Sequence, residues 1–90
     1  MRKIIEVKPL PDKKLFVKYS NEMEGILNLE KLSEREEYKA LKLIDKYDDA
    51  YIDAETGDII INGNIELCKN ATYDILNLKK QMEALGLFID

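Results

Sequence analysis

The sequence predicts a small α+β domain in which helices cover an antiparallel sheet. Three observations carry that reading. Short segments alternate apolar and polar residues at period 2, two longer stretches repeat at helical spacing, and Gly, Pro, Asn or Asp residues punctuate the boundaries. The resulting order is β-β-β-α-β-β-β-α, in a single domain spanning 1–90. Ninety residues leave room for one modest core and no more.

Ile4–Leu10 sets Ile5 and Val7 against Glu6 and Lys8, and closes at Pro9 and Pro11. It reads as an edge strand, because proline cannot donate to both neighbours of a central one. Leu15–Tyr19 follows with Leu15, Val17 and Tyr19 on one face. A tight turn falls at Ser20-Asn21-Glu22, where Glu22 occupies a place that a primed hairpin turn reserves for glycine. Met23–Leu29 resumes the alternation and completes a meander. Farther on, Ala50, Ile52 and Ala54 alternate with Tyr51 and Asp53, and Glu55-Thr56-Gly57-Asp58 forms a turn with Gly57 at positive φ. The run Ile59–Ile61, the turn pair Asn62-Gly63 and the strand Ile65–Leu67 complete a second meander.

Ser33-Glu34-Arg35-Glu36 has the spacing of a capping box, which predicts a helix from Ser33 with Tyr38, Leu41 and Ile44 on one stripe, and Ala40, Leu43 and Tyr47 on the next. A second helix is expected from an Asn70 N-cap to about Leu85, stopping at Gly86. Its residues Ala71, Ile75, Leu78, Met82, Leu85 and Ile89 follow 4-3-4-3-4 spacing, the pattern of a helix–helix seam. Tyr73 and Leu76 add apolar surface beside it. The whole stripe docks on the chain's own sheet, or one edge docks there while Ile75, Leu78, Met82, Leu85 and Ile89 meet a protein partner or a second copy in a homodimer; both arrangements fit the pattern.

Composition narrows the chemistry. The chain has no His and no Trp, and Cys68 is its one cysteine. Histidine bases, histidine metal ligands, disulfide frameworks and cysteine-rich zinc sites are thereby absent together. The acids Asp45, Asp48, Asp49, Asp53, Glu55 and Asp58 make the densest polar feature. A calcium-hand loop begun at Asp53 would need Gly at its sixth place and Glu at its twelfth, but finds Asp58 and Asn64. The acids therefore read as a solvated acidic surface. No carboxylate lies in a strongly apolar run; Glu66 comes nearest and faces solvent by periodicity, so a carboxylate acid–base pair is not expected. Cys68 has no histidine to activate it. Neither catalytic residue nor cofactor nor metal is expected.

The net charge of −4 is unevenly spread. Residues 1–19 hold six basic and two acidic groups, whereas residues 20–66 hold five basic and thirteen acidic ones. An acidic body does not grip nucleic acid by its phosphates. It suits a protein partner with a basic face, or alternatively an inhibitor of the kind phages encode, which mimics nucleic acid to block a nucleic-acid-binding protein. No apolar stretch approaches the ~20 residues of a membrane span, no signal-peptide core follows Met1, and an unpaired cysteine suits a reducing compartment. The expected location is the cytoplasm.

The ordered set of features resembles the bacterial domain of unknown function 2442. It comprises Val7-Lys8-Pro9-Leu10-Pro11, the strand Leu15–Tyr19, Leu29-Glu30-Lys31-Leu32, Tyr38 with Leu41, Ile52-Asp53 with Gly57-Asp58-Ile59 and Asn62-Gly63, and Leu67 with Tyr73. The likeness covers about residues 3–74, with the C-terminal helix of about 70–86 running beyond it. The chain departs from it at Ile60 and Ile61, where many members carry Trp, and at Glu22, where many carry Gly. Family members occur alone, ahead of a helix-turn-helix, or in gene pairs resembling toxin–antitoxin modules. The resemblance implies a binding or regulatory module acting through a protein partner, antitoxin-like in role, and supplies no catalytic residues.

Overall fold

Period-2 alternation folds here into two antiparallel meanders, and helices cover them. The computed structural model describes residues 3–43 and 49–86. Strands β1 (Ile4–Leu10), β2 (Lys14–Tyr19) and β3 (Glu24–Asn28) form one sheet in the order β1-β2-β3. Strands β4 (Ala50–Ile52), β5 (Ile59–Ile61) and β6 (Ile65–Leu67) form the other, and β4 lies against β1. The protein is an α+β domain, as the alternation predicts.

Register explains which residues each sheet buries. Leu15, Val17 and Tyr19 are fully buried, and Leu27 pairs with Leu15 on the same face. The bonds from Tyr19 N–H to the Met23 carbonyl (2.8 Å) and from Leu29 N–H to the Lys13 carbonyl (2.9 Å) fix the phase of the β2–β3 ladder. Alternation then assigns the β1–β2 bonds to the other residues of β2, so that Pro9, opposite Leu15, turns its nitrogen away from β2. The proline costs no ladder bond. In the second sheet Ile59, Ile61 and Leu67 are fully buried, while Tyr51 and Glu66 point outward. Asn62 (φ 52) and Gly63 (φ 77) turn the chain as that dipeptide predicts.

Glu22 adopts φ 72, the left-handed conformation glycine favours, and its N–H donates to the Tyr19 carbonyl. A Cβ costs energy there. Glu22→Gly is therefore expected to raise stability by about 0.5–1 kcal/mol, after allowing for the extra freedom glycine gives the unfolded chain. A thermal melt should move up by about 3–5 °C.

The first helix differs from expectation. The chain leaves β3 directly into a short helix, α1 (Leu29–Leu32), which the Asn28 side chain caps by accepting from Lys31 N–H. Leu29 thus belongs to a helix rather than to the third strand. Ser33 is its C-cap, with the hydroxyl donating to the Glu30 carbonyl, so it does not start the predicted helix. The cause is tertiary: α1 buries both Leu29 and Leu32 one turn apart. Glu36–Leu43 then forms a 3₁₀ stretch interrupted at Tyr38, with Leu41 buried and Tyr38 half-buried. The predicted stripe residues Ile44 and Tyr47 lie outside the described residues.

The second helix, α2 (Lys69–Ala84), runs almost as predicted, and Gly86 ends it at φ 81. Its start lies earlier than Asn70: Cys68 holds the N-cap position without a side-chain bond, and Asp58 from the preceding hairpin accepts from Lys69 N–H instead, at 2.9 Å. Thr72 and Leu76 are its buried residues. A Cβ on Gly25 would lie 3.0 Å from Leu76 Cδ2, so glycine in β3 is what lets α2 approach the sheet this closely.

Candidate functional site

The described members of the acidic cluster do not converge. Asp53 accepts from the Thr56 hydroxyl (2.8 Å) and from Thr56 N–H (3.3 Å), bracing the turn. The Thr56 hydroxyl accepts in turn from Asp58 N–H, while the Asp58 carboxylate caps α2. Lys69 extends its ammonium to the Thr56 carbonyl, and the buried Tyr19 donates its hydroxyl to the Lys69 carbonyl at 2.8 Å. Asp53 and Asp58 thus tie the β4–β5 turn to the start of α2. Glu55 and Asp49 are exposed, and Asp45 and Asp48 lie outside the described residues. Among the described residues no three acidic or cysteine side chains gather as a metal site would require. Cys68 is free and exposed.

The seam on α2 divides. The residue that enters the core is Leu76, with Thr72 beside it, while Tyr73 sets its ring edge-on to Tyr19 with centroids 4.9 Å apart. Ala71, Ile75 and Met82 are half-buried; Leu78 is 51% exposed, Leu85 is 76% exposed, and Ile89 lies outside the described residues. The predicted seam therefore runs along the rim of the docked face rather than into the sheet.

That rim forms one side of a groove of about 320 Å³. Ile75, Leu76, Leu78 and Met82 of α2 supply one wall, Leu32 of α1 the other, and Ile26-Leu27-Asn28 of β3 the floor. Ile26 is 43% exposed although apolar. Three cations, Lys31, Arg35 and Lys79, are among the described residues that line the groove. A second hollow of about 230 Å³ continues past Gly25, sharing Ile26, Leu76 and Lys79, and reaches Lys80 and Glu83. Behind Arg35, burial raises the Tyr38 phenol above its ordinary 10.0, with Glu37 and Cys68 adding to the rise and Arg35 opposing it. The phenol stays protonated at neutral pH.

Sequence reasoning found Ile75, Leu78 and Met82 but missed Ile26, Lys31, Arg35 and Lys79. The one available signal was Ile26, an apolar residue on the strand face opposite Gly25 and Leu27. No family model, no curated protein and no solved structure matches the chain. No helix among the described residues is long and apolar enough to cross a membrane.

Proposed function

We propose that this chain is a non-enzymatic, cytoplasmic protein-interaction module, antitoxin-like in role, whose partner seats in the groove between β3, α1 and α2. One observation carries the reading. Ile26 and Leu78, from two different elements, expose large apolar side chains into the same open groove. A second protein is the natural cover for such a surface, and the resemblance to domain of unknown function 2442 points the same way. Mimicry of nucleic acid would need carboxylates in rows on one face, but Asp53 and Asp58 are engaged in the turn and the helix cap.

Leu78→Asp tests the groove directly. The variant is expected to melt within about 2 °C of wild type, since Leu78 is half exposed. It should reduce at least tenfold the capture of any protein that wild type retains stoichiometrically from its native host. Undiminished capture by the folded variant would overturn the proposal.

Leu78 on the outer stripe of α2 and Leu85 at its C-cap, seven residues on, are both exposed, which favours a second copy as the alternative partner. Light scattering at tens of micromolar decides it. A dimer that Met82→Glu converts to monomer supports self-association, and a folded wild-type monomer excludes it.

A further inference from the structure

We infer that Asn62-Gly63 is a site of spontaneous covalent modification, and that its isoaspartyl product unlatches β6 from β5. The chemistry is local to the turn. The Gly63 amide nitrogen gives up its proton and attacks the Asn62 side-chain Cγ. A C–N bond forms, and the carboxamide nitrogen leaves as ammonia. The resulting five-membered succinimide then takes up one water. Opening at the side-chain carbonyl gives aspartate with an ordinary backbone; opening at the backbone carbonyl routes the chain through the side chain as isoaspartate. Water is the only co-reactant.

Sequence selects this asparagine from the others. Asn21, Asn28, Asn64, Asn70 and Asn77 precede Glu, Leu, Ile, Ala and Leu, whose side chains crowd the attacking nitrogen, whereas Asn62 precedes glycine. Exposure makes no such distinction, since Asn64, Asn70 and Asn77 are exposed as well. The turn adds a second selection. Even a Cβ on Gly63 would meet nothing within 4 Å, so the nitrogen is open to solvent. Among the described residues nothing accepts from Gly63 N–H. Attack requires the Asn62-Gly63 peptide to turn its nitrogen toward the Asn62 side chain. That rotation keeps the bond from Asn62 N–H to the Asp49 carbonyl (2.9 Å) and surrenders the longer one from Asn64 N–H to the Ile61 carbonyl (3.2 Å).

Register sets the consequence. Strands β5 and β6 have three residues each, and they pair Ile61 with Ile65 and Ile59 with Leu67. Ile59, Ile61 and Leu67 are fully buried. Isoaspartate inserts one extra backbone carbon ahead of Gly63. A turn lengthened by that carbon does not keep both the Asn64–Ile61 bond and the Ile61–Ile65 pairing, and so short a strand has little else to hold its register. Aspartate at 62 leaves the backbone length unchanged; it adds one negative charge and spares the hairpin. The second sheet thus carries a clock set by its own turn.

The test ages purified wild type beside Asn62→Gly, which accepts positive φ but has no carboxamide. Peptide mapping by mass spectrometry is expected to find Asn62 converted at least tenfold faster than Asn64 or Asn70. The isoaspartyl fraction, separated by chromatography, should exchange its β5–β6 amide hydrogens at least tenfold faster than fresh protein, with the β1–β2 amides unchanged. Aged Asn62→Gly should match its fresh form, and fresh Asn62→Asp should exchange like fresh wild type. Conversion of Asn62 no faster than of Asn64 would overturn the inference, as would an isoaspartyl form whose β5–β6 amides exchange as in fresh protein. A fresh Asn62→Asp protein with an equally loosened hairpin would assign the effect to charge rather than to the added carbon, and overturn it likewise. Should either variant fail to fold, the aged wild type alone decides.

Discussion

Leu76→Ala is expected to cost about 3 kcal/mol, whereas Leu78→Ala, two residues on, should stay within about 0.5 kcal/mol of wild type. Leu76 is 2% exposed and lies over Gly25, so truncation removes its burial and leaves a cavity that the sheet backbone cannot collapse to fill. Leu78 is 51% exposed and gives up little. Urea unfolding of the pair reads both numbers. Equal losses would show that α2 is rotated relative to the placement described, with the whole seam in the core.

The β4–β5 turn gives the other large effect. Gly57→Val should cost about 2 kcal/mol, since φ 76 strains a β-branched residue. The new Cβ would also meet the Lys69 side chain, whose ammonium is 3.4 Å from that position. As a turn residue alone, Thr56 would tolerate valine at almost no cost. Its hydroxyl bonds to Asp53 and Asp58 change that expectation to about 1 kcal/mol, discounted because the bonds are exposed. Thermal melts of both variants should therefore rank Gly57→Val below Thr56→Val, and Thr56→Val below wild type. A Gly57→Val protein as stable as wild type would show that residue 57 is not left-handed.

Strands were the most legible part of the chain. A period of two leaves only the choice of face, and burial of Leu15, Val17, Tyr19, Ile59, Ile61 and Leu67 makes that choice unambiguous. Turns with Gly57 and Asn62-Gly63 were legible because positive φ is a local demand met by few residues. The first helix was misread because Tyr38 and Leu41 stand three apart, a spacing that an α-helix and a 3₁₀ stretch share. Ser33 offers its hydroxyl equally to the helix behind it and to one ahead, and the burial of Leu29 and Leu32 decides for the former.

By itself, then, the sequence determined the α+β class, the six strands, the length of α2 and the apolar stripe along it. Each rests on local periodicity or on a residue's own φ preference. Tertiary structure alone decided that Leu76 rather than Leu78 enters the core, because a helix with a broad apolar arc can dock through several rotations. The sheet surface selects one of them through the space left at Gly25. It also decided that Asp58 caps α2 from another element, and that Ile26, Arg35 and Leu78 share one groove. These residues are distant in sequence, and no local pattern encodes a meeting that only the docking of α2 beside the edge of β3 brings about.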